Sequence, residues 1–222
     1  DYVWFSPTWK QLMYFDEDEF INSDKFWKRV HEEDRLDLKH KKKRISFGKE
    51  KLFEAEFSKW VGVRYAIAVS NGSVALDLAL KSLDLKKGDE VIVTPRSFVA
   101  SATSVVNCGA KPVFADVDLS SGNLSSKTII RKITKKTKAI ICVHLGGLPC
   151  EMDEILKLAK KFNLYVIEDC AQAHGAFYKN KSVGSIGHIG AWSFCQDKII
   201  TTGGEGGMIT TNDKKLWQKT VS

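Results

Sequence analysis

The amino-acid sequence predicts an α/β fold with three layers, α/β/α, in which helices cover both faces of a mostly parallel sheet. Short apolar runs, each the length of a strand, alternate with longer segments whose apolar residues recur at helical spacing. Glycine, proline and polar residues separate the two kinds of segment. Regular alternation of strand and helix is typical of parallel sheets, because each crossover helix packs against one face of the sheet.

The predicted elements follow one another from residue 49 onward. Helices are expected over 49–60, 74–83, 99–107, 126–133 and 152–162. Strands are expected over 65–69, 91–93, 113–117, 137–143, 164–167, 191–194 and 207–211. Ser73 is the expected N-cap of the second helix, since its hydroxyl can accept a hydrogen bond from an early backbone N–H group. Residues 184–190 are expected to form a glycine-spaced loop.

Residues 1–45 are rich in aromatic and charged side chains and are predicted to form an N-terminal appendage, with a short helix over 22–31. The basic run at 39–44 marks the boundary, so that 46–222 is the predicted main domain. A run of this kind is either a solvated linker or a nucleic-acid-binding arm, and the linker is the more common case. The formal net charge is +7 and the other basic residues are dispersed. A mild positive field of this kind suits a phosphorylated small substrate as well as it suits nucleic acid.

Five cysteines are present, without a C-x-x-C pair, and four of them lie in or beside apolar runs. The sequence therefore predicts free thiols in a cytoplasmic protein, and neither a disulfide framework nor a metal site. No apolar run approaches the roughly 18 residues of a membrane helix, so no membrane association is expected. The chain shows no secretory signal and does not begin with Met, which indicates a processed chain or a fragment.

Lys198 lies between an apolar run and a glycine-dense turn, with four glycines among residues 203–207. A lysine shielded from water can lose its proton and attack a carbonyl group. Taken alone, a lysine in such a loop is more often an ordinary surface residue. The functional interpretation therefore depends on the residues that end the other predicted strands.

Three further positions follow strands. Asp169 closes a buried strand, Phe98 follows another, and Ser73 begins a helix after a third. Each has an ordinary structural explanation, such as a core aromatic or a capped helix without a ligand. Together with Lys198 they match the needs of an aldehyde cofactor that has a pyridine ring and a phosphate, as pyridoxal 5′-phosphate has.

Five segments make the pattern more specific. They are residues 69–76 (VSNGSVAL), 95–102 (PRSFVASA), 109–118 (GAKPVFADVD), 167–176 (IEDCAQAHGA) and 193–207 (SFCQDKIITTGGEGG). In sequence and in order they resemble the sugar aminotransferase family often called DegT/DnrJ/EryC1/StrS, which belongs to the aspartate-aminotransferase-like, fold-type I enzymes. The resemblance runs from about residue 46 to residue 222 and implies the large, cofactor-binding domain of that fold.

The resemblance implies roles for the ring-binding residues. Lys198 would bind pyridoxal 5′-phosphate covalently and later move protons between substrate and cofactor. Asp169 would pair with the pyridinium nitrogen, Gln172 would hydrogen-bond the phenolic oxygen, and Phe98 would stack on the ring. Family members that remove hydroxyl groups have histidine in place of this lysine, so Lys198 favours transamination.

The resemblance also implies a phosphate site formed by the backbone of Gly72, Ser73 and Val74 together with the Ser73 and Ser193 hydroxyls. His144 either contacts cofactor or substrate at the mouth of the site or is a satisfied core histidine.

The implied activity is the transfer of an amino group, with glutamate as donor, to a nucleotide-linked keto-sugar in polysaccharide or amino-sugar biosynthesis. The implied assembly is a homodimer with shared active sites. Family members are nearly twice as long, and their small C-terminal domain has no counterpart here. The second hypothesis is therefore a non-catalytic remnant or partner subunit that retains the fold.

Overall fold

The computed structural model describes residues 45–221. Internal contacts divide the chain between Phe57 and Ser58 into two units, and the sheets and every predicted site residue belong to the second. The predicted helix over 22–31 and the basic run at 39–44 lie outside the described residues, and the predicted boundary after residue 45 stays a prediction.

The described helices are α1 (Ile45–Val61), α2 (Gly72–Lys81), α3 (Ala100–Asn107), α4 (Ser126–Ile130), α5 (Met152–Phe162) and α6 (Lys214–Val221). The strands of the main sheet are β1 (Tyr65–Val69), β2 (Glu90–Val93), β3 (Lys111–Phe114), β4 (Thr137–Val143), β5 (Tyr165–Asp169), β8 (Ile189–Ser193) and β9 (Gly207–Thr211). A separate two-stranded hairpin consists of β6 (Phe177–Tyr178) and β7 (Lys181–Ser182). None of the helices in this part of the chain is long and apolar enough to cross a membrane.

The main sheet has the strand order β1-β9-β8-β5-β4-β2-β3. Neighbouring strands from β8 to β3 pair in parallel, whereas β9 is antiparallel to both β1 and β8. The predicted α/β fold with a mostly parallel sheet is thus confirmed. All strands except β9 point their carboxyl ends to the same edge, called here the carboxyl edge.

Two apolar cores lie on opposite faces of this sheet. In β2, Val91 and Val93 belong to one core, while Ile92 between them belongs to the other. The first core includes buried residues of α2, α3 and α6, and the second includes buried residues of α4 and α5. Because side chains alternate between the faces of a strand, strands buried on both sides are apolar throughout. The expected three layers follow from this pattern.

Several predicted boundaries were wrong. The expected strand over 113–117 is β3, which begins at Lys111 and ends at Phe114. β3 is an edge strand, where Pro112 is tolerated although it has no N–H group to donate. The predicted loop at 184–190 ends earlier, because β8 already begins at Ile189. The helix expected over 126–133 ends at Ile130, and α6 and the small hairpin were not predicted.

Candidate active site at the carboxyl edge

The predicted cofactor-binding residues follow four strands that end at the carboxyl edge. Gly72, Ser73 and Val74 begin α2 after β1, and Phe98 follows β2. Asp169 ends β5 and is followed by Gln172, while Ser193 ends β8 and is followed by Lys198. Ligands of open α/β sheets bind outside the carboxyl ends of the strands. The fold therefore places all of these residues at the edge where such a ligand is expected.

The start of α2 is the candidate phosphate site. The N-cap is Asn71, whose Oδ1 accepts from the Val74 N–H at 2.9 Å, so the prediction of Ser73 as N-cap was wrong. This hydrogen bond occupies one of the three backbone groups proposed for the phosphate. The first N–H groups of a helix have no carbonyl partner within it, and those of Gly72 and Ser73 remain the natural donors to an anion.

Glycine at two positions brings the start of α2 close to the neighbouring strands. A Cβ on Gly72 would lie 2.6 Å from the Cβ of Ser193, and a Cβ on Gly207 would lie 2.5 Å from the carbonyl carbon of Asn71. Neither position has room for a side chain. The Ser193 hydroxyl and the amino end of α2 are therefore neighbours, as a shared phosphate would require.

Asp169 is buried, with 6% of its surface exposed. Its Oδ2 accepts from the Ser101 hydroxyl at 2.9 Å, and its Oδ1 accepts from the Ala171 N–H at 3.2 Å. Burial raises the pKa of Asp169 above its ordinary value, while both hydrogen bonds and the charge of Lys198 act in the opposite direction. A cationic ring nitrogen beside this carboxyl group would relieve the cost of burying its charge.

Gln172 has a defined orientation. Its Oε1 accepts from the Gly146 N–H at 2.8 Å, and a backbone N–H can only donate. The NH₂ group of Gln172 must therefore be the other branch of the amide, available to donate to an oxygen such as the phenolic oxygen of the cofactor. Gly146 lies in a 3₁₀ turn, Leu145–Gly147, with a φ of 60°, a conformation that favours glycine.

Phe98 is 70% exposed and is therefore not the core aromatic of the alternative explanation. A large aromatic ring left this open at a ligand-binding edge is suited to stack on a planar group.

Lys198 lies in the segment that connects β8 to β9. Its Nζ is 3.2 Å from Oδ1 of the exposed Asp197, and its side chain is 23% exposed. A hydrogen bond of 2.7 Å from the Phe194 N–H to the Gly206 carbonyl joins the two ends of this segment, and one of 3.0 Å from the Lys198 N–H to the Cys195 carbonyl closes a turn within it. The lysine is thus partly shielded on a segment whose ends are held together.

His144 is completely buried. Its Nδ1 accepts from the Cys150 N–H at 3.1 Å, so the ring proton is on Nε2, which donates to Glu168 at 3.0 Å. With both ring nitrogens bonded to protein groups, the structure favours the core histidine over a contact with cofactor or substrate.

Glu168 is the residue whose role the sequence did not reveal. Its two carboxylate oxygens accept from His144 and from the backbone N–H groups of Gly184, Ile186 and Gly187, at 2.6 to 3.0 Å. The only sequence signal was the position of an acidic pair at the end of a buried strand, where hydrogen bonds are required. His144, Glu168 and Cys170 place potential metal ligands within 4.8 Å of one another, but these hydrogen bonds already occupy the histidine and the glutamate.

A groove of about 740 Å³ lies at the opposite, amino edge of the sheet. Its lining includes Asp89 before β2, Thr137 at the start of β4 and Tyr165 at the start of β5. None of the predicted site residues lines this groove. We therefore place the candidate site at the carboxyl edge, where the polar side chains and the helix start meet.

Comparison with known proteins identifies relatives of this chain. The model of the DegT/DnrJ/EryC1/StrS aminotransferase family matches residues 28–222. GDP-perosamine synthase of Escherichia coli O157:H7 is 52% identical over 167 residues, which are 75% of this chain and 46% of that protein.

Solved structures show the same relationship. The aminotransferase from Psychrobacter cryohalolentis has a TM-score of 0.77 at 65% identity, covering 78% of this chain and 44% of that chain. NtdA from Bacillus subtilis, with bound cofactor PMP, has a TM-score of 0.72 at 33% identity, covering 77% of this chain and 38% of that chain. The chain spans about half the length of the relatives that it matches.

Proposed function

The chain belongs to the DegT/DnrJ/EryC1/StrS aminotransferase family, and we propose from this that it is the large domain of a sugar aminotransferase that uses pyridoxal 5′-phosphate. The observation that supports this most directly is the meeting of Asp169, Lys198 and the start of α2 at one edge of the sheet. A buried carboxylate, a shielded lysine and a helix start with free N–H groups fit the ring nitrogen, the aldehyde and the phosphate of that cofactor.

The residues at the edge would hold the cofactor in defined ways. The backbone N–H groups of Gly72 and Ser73 would donate to the phosphate together with the Ser193 hydroxyl. The Val74 N–H donates to the Asn71 side chain instead and thereby helps to fix the start of the helix. Gln172 would donate its NH₂ group to the phenolic oxygen. Phe98 would cover one ring face. Once bound, the cofactor supplies the electron sink for amino-group transfer.

The side chains of the protein would move the protons. Nζ of Lys198, after its release from the cofactor, would take a proton from the amino donor and return it at the atom that the reaction requires. Asp169 would keep the ring nitrogen protonated by holding a negative charge beside it in a buried place. Oδ1 of Asp197 lies 3.2 Å from Nζ of Lys198 and is the nearest carboxylate contact that the described part of the chain gives it.

The proposed acceptor is a nucleotide-linked keto-sugar and the proposed donor is glutamate. The name of the relative GDP-perosamine synthase supports a nucleotide sugar, and the pathway would be polysaccharide or amino-sugar biosynthesis. The choice of glutamate as donor follows from the resemblance to the family.

We also propose a homodimer with shared sites and a cytoplasmic location. The five cysteines are free, as the sequence predicted, which suits a reducing compartment. The domain boundary near residue 46 belongs to the same proposal.

The experiment is to load the protein with pyridoxal 5′-phosphate, reduce it with borohydride and map the modified residue. Modification at Lys198 is expected, because borohydride fixes the covalent bond between a lysine and the aldehyde. Lys198→Arg should abolish it, whereas Lys179→Arg, which changes an exposed lysine paired with Asp153, should leave it unchanged. Pyridoxyl at another lysine, or at none, would reject the proposed mechanism.

Adding glutamate separates the two hypotheses of function. A change in the absorbance band of the bound cofactor would show transfer of the amino group and support the aminotransferase. Firm binding of the cofactor without this change would support the non-catalytic remnant or partner subunit.

A further inference from the structure

A buried serine contacts the carboxylate that is proposed to pair with the ring nitrogen. Ser101, in the first turn of α3, is 1% exposed, and its Oγ lies 2.9 Å from Oδ2 of Asp169. The two residues are 68 positions apart. Ser101 follows β2 and Asp169 ends β5, and these two strands lie on either side of β4. The hydrogen bond therefore crosses the end of the intervening strand at the carboxyl edge.

A second hydroxyl extends this contact toward the surface. Oγ of Ser97, in the partly exposed turn after β2, lies 2.8 Å from Oγ of Ser101. Ser97 directly precedes Phe98, the ring proposed to stack on the cofactor. The three side chains form a short chain of hydrogen bonds from the partly exposed turn to the buried carboxylate.

The direction of these hydrogen bonds follows from the chemistry of the groups. The Ala171 N–H also donates to Asp169, and two donors favour the ionised carboxylate, which can only accept. The single hydroxyl hydrogen of Ser101 must then point to Asp169. Its oxygen is left to accept, so Ser97 donates to Ser101.

We propose that Ser101 is a positioning residue that holds Asp169 ionised and oriented toward the ring nitrogen, and that Ser97 fixes the hydroxyl of Ser101. This inference rests on the proposed function, in which Asp169 pairs with that nitrogen. Ser101 itself touches neither substrate nor cofactor in this scheme. Its effect is exerted through the carboxylate.

The physical need for such a residue comes from burial. Burial raises the pKa of Asp169, and the hydrogen bond from Ser101 is the largest effect in the opposite direction. A protonated Asp169 would no longer offer a negative charge to the ring nitrogen. Loss of the serine hydroxyl should therefore weaken both the charge and the orientation of the carboxyl group.

The first experiment needs no cofactor. The Asp169 carboxyl carbon is titrated by NMR in the unloaded chain, in wild type and in the variants Ser101→Ala, Ser101→Thr and Ser97→Ala. We expect Ser101→Ala to raise the pKa of Asp169, Ser97→Ala to raise it less, and Ser101→Thr, which keeps the hydroxyl, to remain near wild type. Ser97 is partly exposed, and its replacement by alanine leaves the hydrogen bond between Ser101 and Asp169 in place. Ser97→Ala therefore tests the chain of hydrogen bonds even if Ser101→Ala, the buried variant, fails to fold.

The second experiment uses the loaded protein. The dissociation constant of pyridoxal 5′-phosphate should increase on the order of tenfold in Ser101→Ala, because hydrogen bonds to charged groups contribute at about this level. The pH dependence of the cofactor absorbance should shift in the same variant and be restored by threonine.

The outcomes distinguish this inference from the proposed function. Unchanged Asp169 titration and unchanged cofactor absorbance in Ser101→Ala, with pyridoxyl still mapped to Lys198, would overturn the role of Ser101 alone. If wild type takes up no cofactor at Lys198, the proposed function fails. The titration of the unloaded chain then still decides whether Ser101 controls the charge of Asp169.

Discussion

His174 is a buried imidazole, and neither of its nitrogens has a hydrogen-bond partner of regular geometry in the described part of the chain. Its ring packs against the rings of Trp192 and Phe194, with centroids 5.4 and 5.7 Å away. Burial lowers the pKa of His174 to about 4, with a smaller opposing effect from the Ser193 backbone. The residue acts as an aromatic packing group as long as it is neutral.

This gives a prediction for the pH dependence of stability. The ordinary pKa of 6.5 applies to the unfolded chain, so between pH 6.5 and about 4 the unfolded state binds the proton and the folded state does not. The free energy of unfolding should fall as pH decreases through this window, by up to about 3 kcal/mol from this residue. His174→Phe should lose less stability over the same window, as measured by urea denaturation.

The control is urea denaturation at about pH 8, where histidine and phenylalanine at position 174 are both uncharged. The difference between the two proteins at that pH is the effect of the substitution apart from protonation. Equal losses of stability in the two proteins between pH 6.5 and pH 4 would contradict the prediction, because they would mean that His174 binds its proton equally in the folded and unfolded states.

At the residue scale the sequence predicted the positions that follow strands, and it did so because strand ends are visible as the ends of apolar runs. It did not predict Ser101 or Glu168 as partners. Ser101 reads as an ordinary small residue of a helix, and its contact with Asp169 depends on the order of strands in the sheet. Side-chain contacts across that many residues leave no local pattern.

The start of α2 is the element in which stability and ligand binding are most easily separated. Asn71 caps the helix with its side chain, while Ser73 is exposed and its hydroxyl is proposed for the phosphate. The two residues are two positions apart but have different tasks. The sequence pattern alone did not distinguish them, since both are good N-cap residues.

Asn71→Ala should therefore reduce the free energy of unfolding by about 1 kcal/mol, because the Val74 N–H loses its acceptor. Ser73→Ala should leave the free energy of unfolding within about 0.5 kcal/mol of wild type and should weaken the binding of pyridoxal 5′-phosphate. Urea denaturation of the unloaded protein and a titration with the cofactor measure the two effects. A loss of stability in Ser73→Ala as large as in Asn71→Ala would contradict this division of tasks.

At the element scale the sequence predicted the type of most helices and strands, and the errors have identifiable causes. Pro112 suggested a turn, but the edge position of β3 needs no donor from it. The glycines of 184–190 suggested a loop, whereas Gly190 lies in β8 and pairs with Thr210 of the neighbouring strand. Glycine is needed there because a Cβ would be 2.4 Å from the Thr210 hydroxyl. In both cases the neighbour in the sheet decided the structure.

At the scale of the whole molecule, the candidate site lies where the segments that follow four strands meet. A bound cofactor would therefore connect parts of the chain that are distant in sequence. Residues 72 and 198, for example, follow β1 and β8, two strands that are separated in the sheet by β9. A ligand that binds only the assembled site stabilises the folded chain by mass action.

Saturation with pyridoxal 5′-phosphate should accordingly raise the free energy of unfolding, by about 2.7 kcal/mol when the free ligand is a hundred times its dissociation constant. Pyridoxal, which lacks the phosphate, should give a smaller rise at equal concentration because the α2 site stays empty. Thermal unfolding with each ligand, and after dialysis to remove it, tests this. An equal rise with both compounds would argue against a phosphate site at α2.

At this scale the sequence predicted the fold class and the number of layers, because these follow from the alternation of apolar runs. It did not predict the direction of β9. The run at 207–211 is buried along its whole length like its neighbours, and burial on both faces looks the same in either direction.

The pairing of β9 with β1 has a consequence for the order in which the protein assembles during synthesis. β1 is at the edge of the sheet, and β9, its partner there, is made about 140 residues later, as the register of Tyr65 with Thr211 shows. Such a distant pairing forms slowly and only after the second segment has left the ribosome. The inner parallel strands can associate while translation continues, but β1 and the helix start that follows it must wait. Because Gly207 of β9 packs against Asn71, the start of α2 gains this neighbour only after β9 has been made.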